Sequence, residues 1–197
     1  MRSGLTFSSG EYSKIVTGPV VINGYISVGL LLPYRVRRIM EPQKIPKMPK
    51  EEYDALIKRQ YVSRIAFKGS EHPYIAPFMY VFDGKYLYFL SSNYGRKMQY
   101  FKQDPKVSVE IEEYSPDLSA FTFVSLQGYL EEVQDPSHKM RVREQFVDMI
   151  KTNHLSSRVL TAFGHSSHDE PEVIVHEERS SVWKLAGVSD IVALKNG

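Results

Sequence analysis

The chain has 197 residues, with 25 Lys and Arg against 23 Asp and Glu and a formal net charge of +2. That balance gives no global field to draw in nucleic acid, so any anion site must rest on a few locally placed groups. Cysteine is absent, which excludes disulfides, thiol nucleophiles, thiolate metal sites and iron–sulfur clusters and is compatible with a reducing, cytoplasmic setting.

The most apolar run, residues 18–34, is interrupted by Pro19, Asn23, Gly24, Gly29 and Pro33 and is too short and broken for a membrane helix. Arg35, Arg37 and Arg38 follow it where a cleavage site would stand, so a signal peptide is not expected. Residues 1–39 are expected to form a poorly structured extension, and residues 40–197 the folded domain. Residues 41–50 carry three prolines and three lysines and predict an extended linker. Pro49, Glu51 and Glu52 then suit the first turn of a helix, with Tyr53, Leu56, Ile57 and Gln60 on one face.

From Val62 the apolar period shortens to two. Val62–Lys68 and Tyr74–Phe82 predict strands around a turn at residues 69–73, and Asp83-Gly84 is a strong hairpin signal leading into Lys85–Leu90. A serine-rich stretch enters a short helix over Gly95–Lys102, which Asp104-Pro105 ends. Lys106–Glu113 alternates as a strand, Ser115-Pro116 turns the chain, and Thr122–Val133 runs back with Gly128 as a bulge. Asp135 caps a helix over Pro136–Thr152 whose apolar stripe is Met140, Val142, Phe146, Val147 and Ile150. Glu172–His176, Ser181–Leu185 and Asp190–Leu194 are expected to be closing strands. Hairpin-length connections between most strands predict a mainly β fold, an antiparallel split β-barrel with flanking helices.

Chemistry concentrates in Ser91-Ser92-Asn93-Tyr94-Gly95-Arg96-Lys97, where a strand opens into a helix. Free N–H groups and the positive helix end favour an anion there. Ser91 and Ser92 offer hydroxyls, Arg96 a planar fork and Lys97 a point charge. Two cations in a first turn oppose the dipole unless an anion balances them. Read alone, the same stretch also fits a capped surface helix with two solvated basic residues. Pro77-Phe78-Met79-Tyr80 lies on the neighbouring strand, where Pro77 lacks an N–H and prefers an edge or bulge. Such a strand can wall a planar heterocycle, although core packing accounts for Phe78 and Tyr80 equally well.

Residues 46–150 resemble the pyridoxamine 5'-phosphate oxidase-like flavoproteins, the FMN-binding split barrels, and most closely the branch that includes nitroimidazole-resistance proteins. The resemblance rests on Arg64-Ile65-Ala66, Pro73 to Pro77, Tyr80-Val81, Asp83-Gly84-Lys85, Leu87-Tyr88-Phe89, Gly95-Arg96-Lys97, Asp104 to Ser108 and Gly128, in this order and spacing. It implies that Arg96 and Lys97 bind the FMN phosphate with help from Ser91, and that Pro77 to Tyr80 line the flavin ring; Leu90 and Ser92 complete the expected cofactor-binding set. It also implies a homodimer in which each subunit completes the other's flavin site, with Trp183 a candidate for that role. The chain departs from the oxidase proper at Phe123, where a flavin-contacting glutamine is expected. It departs from nitroimidazole-resistance relatives at Leu90, where they carry a histidine.

The resemblance therefore implies an FMN-dependent oxidoreductase acting on a small molecule, with no side chain singled out as catalytic because the cofactor carries the chemistry. A flavin-storage protein without turnover, or a split barrel holding a deazaflavin or haem, is the alternative. His165 and His168 have metal-like spacing but no further cluster beside them, so no metal is expected. Dispersed basic residues argue against nucleic acid, and no membrane association is expected.

Overall fold

The computed structural model describes residues 20–22, 25–27, 45–176 and 178–196. The chain divides into two compact units, residues 1–44 and 45–197. In the first, β1 (Val20–Ile22) pairs antiparallel with β2 (Tyr25–Ser27); the rest of the expected extension lies outside the described residues.

The second unit is built around a closed barrel. Helix α1 (Lys50–Arg59) precedes β3 (Val62–Phe67), β4 (Tyr74–Phe82) and β5 (Leu87–Ser92). Helix α2 (Arg96–Gln103) leads to β6 (Lys106–Tyr114) and β7 (Phe121–Glu132), and α3 (Pro136–Thr152) to the final strand β8 (Ser180–Asn196). The strands close in the order β3-β4-β5-β8-β7-β6, every pairing antiparallel. The expected split-barrel class is the observed one.

Alternation along the strands makes two apolar layers, because successive side chains point to opposite faces. Ile65, Phe67, Phe78, Tyr80, Leu87, Phe89, Val109, Val124, Trp183 and Leu185 fill the barrel, joined by Leu56 and Ile57 from α1 and Met98 from α2. On the outside, Val81, Tyr88, Leu90 and Val182 pack under Val142, Phe146, Val147 and Ile150 of α3.

Local turn chemistry follows the sequence closely. Gly84 takes φ 95° in the β4–β5 turn, and the Asp83 carboxylate accepts from the Lys85 and Tyr86 N–H groups at 2.8 and 2.7 Å. Asp135 caps α3 by accepting from the His138 N–H at 2.7 Å. Gly128 sits where the β7–β8 register shifts, and a Cβ there would lie 2.6 Å from the Ala186 carbonyl oxygen, so only glycine fits the bulge.

Four expectations are corrected. The segment over Glu172–His176 is no strand: a 3-10 helix spans Pro171–Ile174, because a proline at its start fixes a helical φ and lacks only an N–H that would go unused. Ser181–Leu185 and Asp190–Leu194 belong to one strand, β8; Gly187, at φ 55°, bends the chain beside the Gly128 bulge without ending the pairing. Met140 is 42% exposed, and the α3 stripe instead includes Arg143, which is buried and donates to the Ser180 carbonyl at 2.7 Å. The linker is partly pinned, with Met48 N–H donating to the Ala193 carbonyl and Lys195 N–H to that of Pro46.

Candidate functional site

The expected binding residues lie around a split in the barrel. Strand β4 pairs with β3 along Tyr74–Met79, but with β5 only over Tyr80–Phe82. Pro77 falls in the stretch with no β5 pairing, so its missing N–H leaves no ladder position on that side empty. It is exposed and lies opposite Arg64 of β3.

Helix α2 begins beside this split. Tyr100 stacks on Tyr74 with ring centroids 5.3 Å apart, and Phe101 stacks on Trp183 at 4.7 Å. These two contacts anchor the helix while its first turn carries Arg96 and Lys97. Gly95 precedes it at φ 90° and ψ −177°, a conformation open essentially to glycine alone. No side chain caps the helix and its first turn holds no acid, so the protein leaves its positive end uncompensated.

Lys97 is half-buried, with its ammonium 5.2 Å from the centroid of the Phe78 ring. Burial pulls its pKa below the ordinary lysine value, because a desolvated ammonium is disfavoured. Arg96 is exposed. Neither makes an ion pair among the described residues, whereas Lys68, Lys184 and Lys195 each hold a carboxylate. The contrast marks a place where positive charge is held without a protein counter-ion.

The serines are more enclosed than the sequence implies. Ser91 is fully buried, its hydroxyl donating to the Ser92 carbonyl at 3.2 Å. Ser92 is 7% exposed and donates to the Tyr94 carbonyl at 3.4 Å. Alternation divides the other residues. Pro77 and Met79 point outward from β4, while Phe78 and Tyr80 point into the barrel. Tyr80 donates to the Ile57 carbonyl at 2.8 Å, and burial raises its phenol pKa. Leu90 packs in the outer layer beneath α3. Trp183 has no exposed surface and sits among Phe67, Phe78 and Phe101. It therefore supports α2 from within the barrel; of the expected residues, Pro77 and Arg96 are exposed and Lys97 half-buried, with Ser92 buried just beneath them.

Sequence reasoning missed the tie that fixes the β5–α2 corner. The Asn93 amide donates to the Glu178 carbonyl at 3.1 Å, and the Ser181 hydroxyl lies 2.7 Å from both Asn93 Oδ1 and Glu132 Oε1. Asn93, beside two serines, was the only local signal, since its partners lie far along the chain.

A protein-family model described as pyridoxamine 5'-phosphate oxidase matches residues 49–175. No curated protein matches the sequence. Among solved structures, an FAD-binding protein from Mesorhizobium loti superposes with a TM-score of 0.57 at 17% identity, over 77% of this chain and 96% of that one. HutZ, the heme storage protein from Vibrio cholerae, gives 0.55 at 12% identity, over 74% and 94%. A heme-binding protein from Mycobacterium smegmatis gives 0.54 at 17%, over 75% and 55%. At these identities the likeness establishes a shared fold.

Proposed function

From the premise that this chain belongs to the pyridoxamine 5'-phosphate oxidase family, we propose that it is an FMN-binding flavoprotein and an oxidoreductase acting on a small molecule. The observation that carries this reading is the acid-free pair Arg96 and Lys97 on the uncapped first turn of α2, beside the split at Pro77. A phosphate monoester is the ligand such a pair is built to balance: the guanidinium supplies a fork, the ammonium a charge, and the helix end its free N–H groups.

The residues divide the work. Arg96, exposed and unpaired, meets the phosphate first, while Lys97 regains the solvation it lost on burial. Gly95 lets the backbone approach closely, and Tyr100 and Phe101 hold the helix against the barrel. The outward edge at Pro77 and Met79 offers an apolar wall for a planar ring. Bound flavin supplies two-electron and one-electron transfer, and the protein supplies orientation and electrostatics. A second copy of the chain completes the site in this reading, and the chemistry is set in the cytoplasm, which a cysteine-free chain permits.

Several fold relatives are named for FAD or heme, so the spectrum must discriminate. Purified protein should show two flavin bands between about 300 and 500 nm and release FMN on denaturation. Arg96→Ala with Lys97→Ala should weaken FMN binding by about 100-fold or more, given roughly 1.5–3 kcal/mol per charged hydrogen bond. Full yellow colour in that variant, or a Soret band in the native protein, would overturn the assignment.

A further inference from the structure

The far end of the barrel holds a concavity of about 290 Å³, bordered by α1, the β4–β5 turn, β7 and β8. Strand β5 runs from Leu87 at this pocket to Ser92 at the phosphate corner, so about 17 Å of extended chain separates the two. Its floor is Ile57, Leu87, Leu126 and Leu185, each at most 5% exposed. Tyr53, Phe82 and Tyr86 bring aromatic rings to its walls. A volume near 300 Å³ lies at the small end of ligand sites and suits one ring with a short chain.

The rim carries an unbalanced charge. Lys50 and Asp54 form an ion pair with each other; Lys184, which lies outside the lining, pairs with Glu131 at 2.8 Å. Lys85 makes no ion pair among the described residues. Its ammonium lies 4.9 Å from the Tyr86 ring centroid, and the Lys184 ammonium lies at the same distance from that ring. Two cations thus share one ring while only one has a carboxylate. A single anionic group at the rim balances Lys85, and an apolar body beyond it fills the floor.

The geometry points to a second binding site, one that takes a small aromatic monocarboxylate with its ring against Leu126 and Leu185 and its carboxylate on Lys85. One free ammonium matches a carboxylate better than a phosphate dianion, which needs several donors. The site is independent of the flavin reading, because it shares no residue with the α2 corner.

Calorimetric titration of the full-length protein, with whatever cofactor it retains, by 3-phenylpropanoate and by 3-phenylpropanamide tests the assignment. The carboxylate should bind with Kd near or below about 1 mM, and about tenfold tighter than the amide, the difference one charged hydrogen bond makes. Lys85→Gln should bring the two to equal affinity. Ile191→Trp, a change at a rim position 42% exposed that leaves the core intact, should weaken both by at least about tenfold. Both variants should keep the native protein's flavin absorbance, and Arg96→Ala with Lys97→Ala should keep carboxylate binding. Equal affinity of acid and amide for the native protein, an unchanged ratio in Lys85→Gln, or no binding up to about 10 mM overturns the proposal. The titration outcomes decide this site alone and leave the FMN assignment to its own spectrum.

Discussion

The two ends of the barrel differ in how they hold charge. At the α2 corner, two cations stand on a helix turn whose own field opposes them, and one is half-buried against an aromatic face. At the α1 end, an apolar hollow is rimmed by two exposed lysines, of which Lys50 is paired with Asp54 and Lys85 makes no ion pair among the described residues. The first arrangement is electrostatically strained without an anion. The second is at ease in water and gains from a ligand chiefly by covering apolar surface. Strain of the first kind leaves a signature in a short stretch of sequence, whereas the second kind exists only once distant segments have folded together.

If the two ends are separate sites on one shared interior, a core truncation should damage both. Trp183→Ala removes the largest fully buried side chain, and it should destabilise the protein by about 3–5 kcal/mol, read by denaturant unfolding. Equal loss of FMN and 3-phenylpropanoate binding should accompany it wherever the variant is partly unfolded. A change confined to one end should separate them. Gly95→Ala forces a side chain into φ 90° and should cost about 1–3 kcal/mol, releasing FMN while phenylpropanoate binding survives in the folded fraction. Loss of both ligands from folded Gly95→Ala protein would show that the ends communicate.

Smaller effects sharpen the contrast. The Asp83 carboxylate accepts from Lys85 and Tyr86 N–H groups and from the Tyr88 hydroxyl at 3.0 Å. Burial pushes it up, but these donors outweigh burial and hold it below the ordinary carboxylate value, 3.8. A depressed carboxylate stabilises the fold above its unfolded pKa and loses that contribution as pH falls through the folded value. Asp83→Asn should lower stability near neutrality through the weakened turn hydrogen bonds, and the difference from the native protein should begin to shrink as pH falls below 3.8 and close only beneath the lower folded value, as acid unfolding curves would show. The Tyr88 phenol is pushed up to about 12, by burial first and then by its bond to Asp83.

The smallest effect concerns Lys97, whose pKa lies below the ordinary 10.5 because it is desolvated. A bound phosphate restores a partner and raises that pKa, so FMN binding should take up a proton as pH approaches the free-state value. Affinity should decline as pH rises through it, starting below 10.5. Lys97→Arg, which stays charged there, should flatten the profile. An unchanged profile would place the titrating group elsewhere.

What the sequence disclosed follows the range over which each feature is determined. Asp83-Gly84 and Asp135 act on their immediate neighbours, and Gly128, though it yields to a distant strand, is marked by its residue type alone; each does in the fold what its type predicts. The stretch Ser91 to Lys97 was visible for the same reason. Side-chain direction was less so: alternation on β4 and β5 sends Phe78, Tyr80 and Ser91 away from the side that Pro77 and Ser92 share. The residues Glu172 to His176 have strand-forming composition, but Pro171 and the burial of Ile174 set a 3-10 turn. The hollow at the α1 end had no signature at all. Its lining runs from Lys50 to Ile191, and no local pattern ties such positions together.

The register of β8 carries a consequence for how the chain is made. Phe89 of β5 pairs with Trp183, so the barrel closes between partners separated by two strands, two helices and two 3-10 turns. At ribosomal speeds of about 5–20 residues per second, β5 emerges roughly 5–20 s before the strand that covers it. During that interval the nascent chain exposes a hydrogen-bonding edge and an unfilled interior, the state in which strands recruit foreign partners. The finished barrel leaves only the stretch of β4 before Tyr80 without a β5 partner; the one being synthesised leaves all of β5 uncovered, for a time set by the whole run from α2 to the last 3-10 turn.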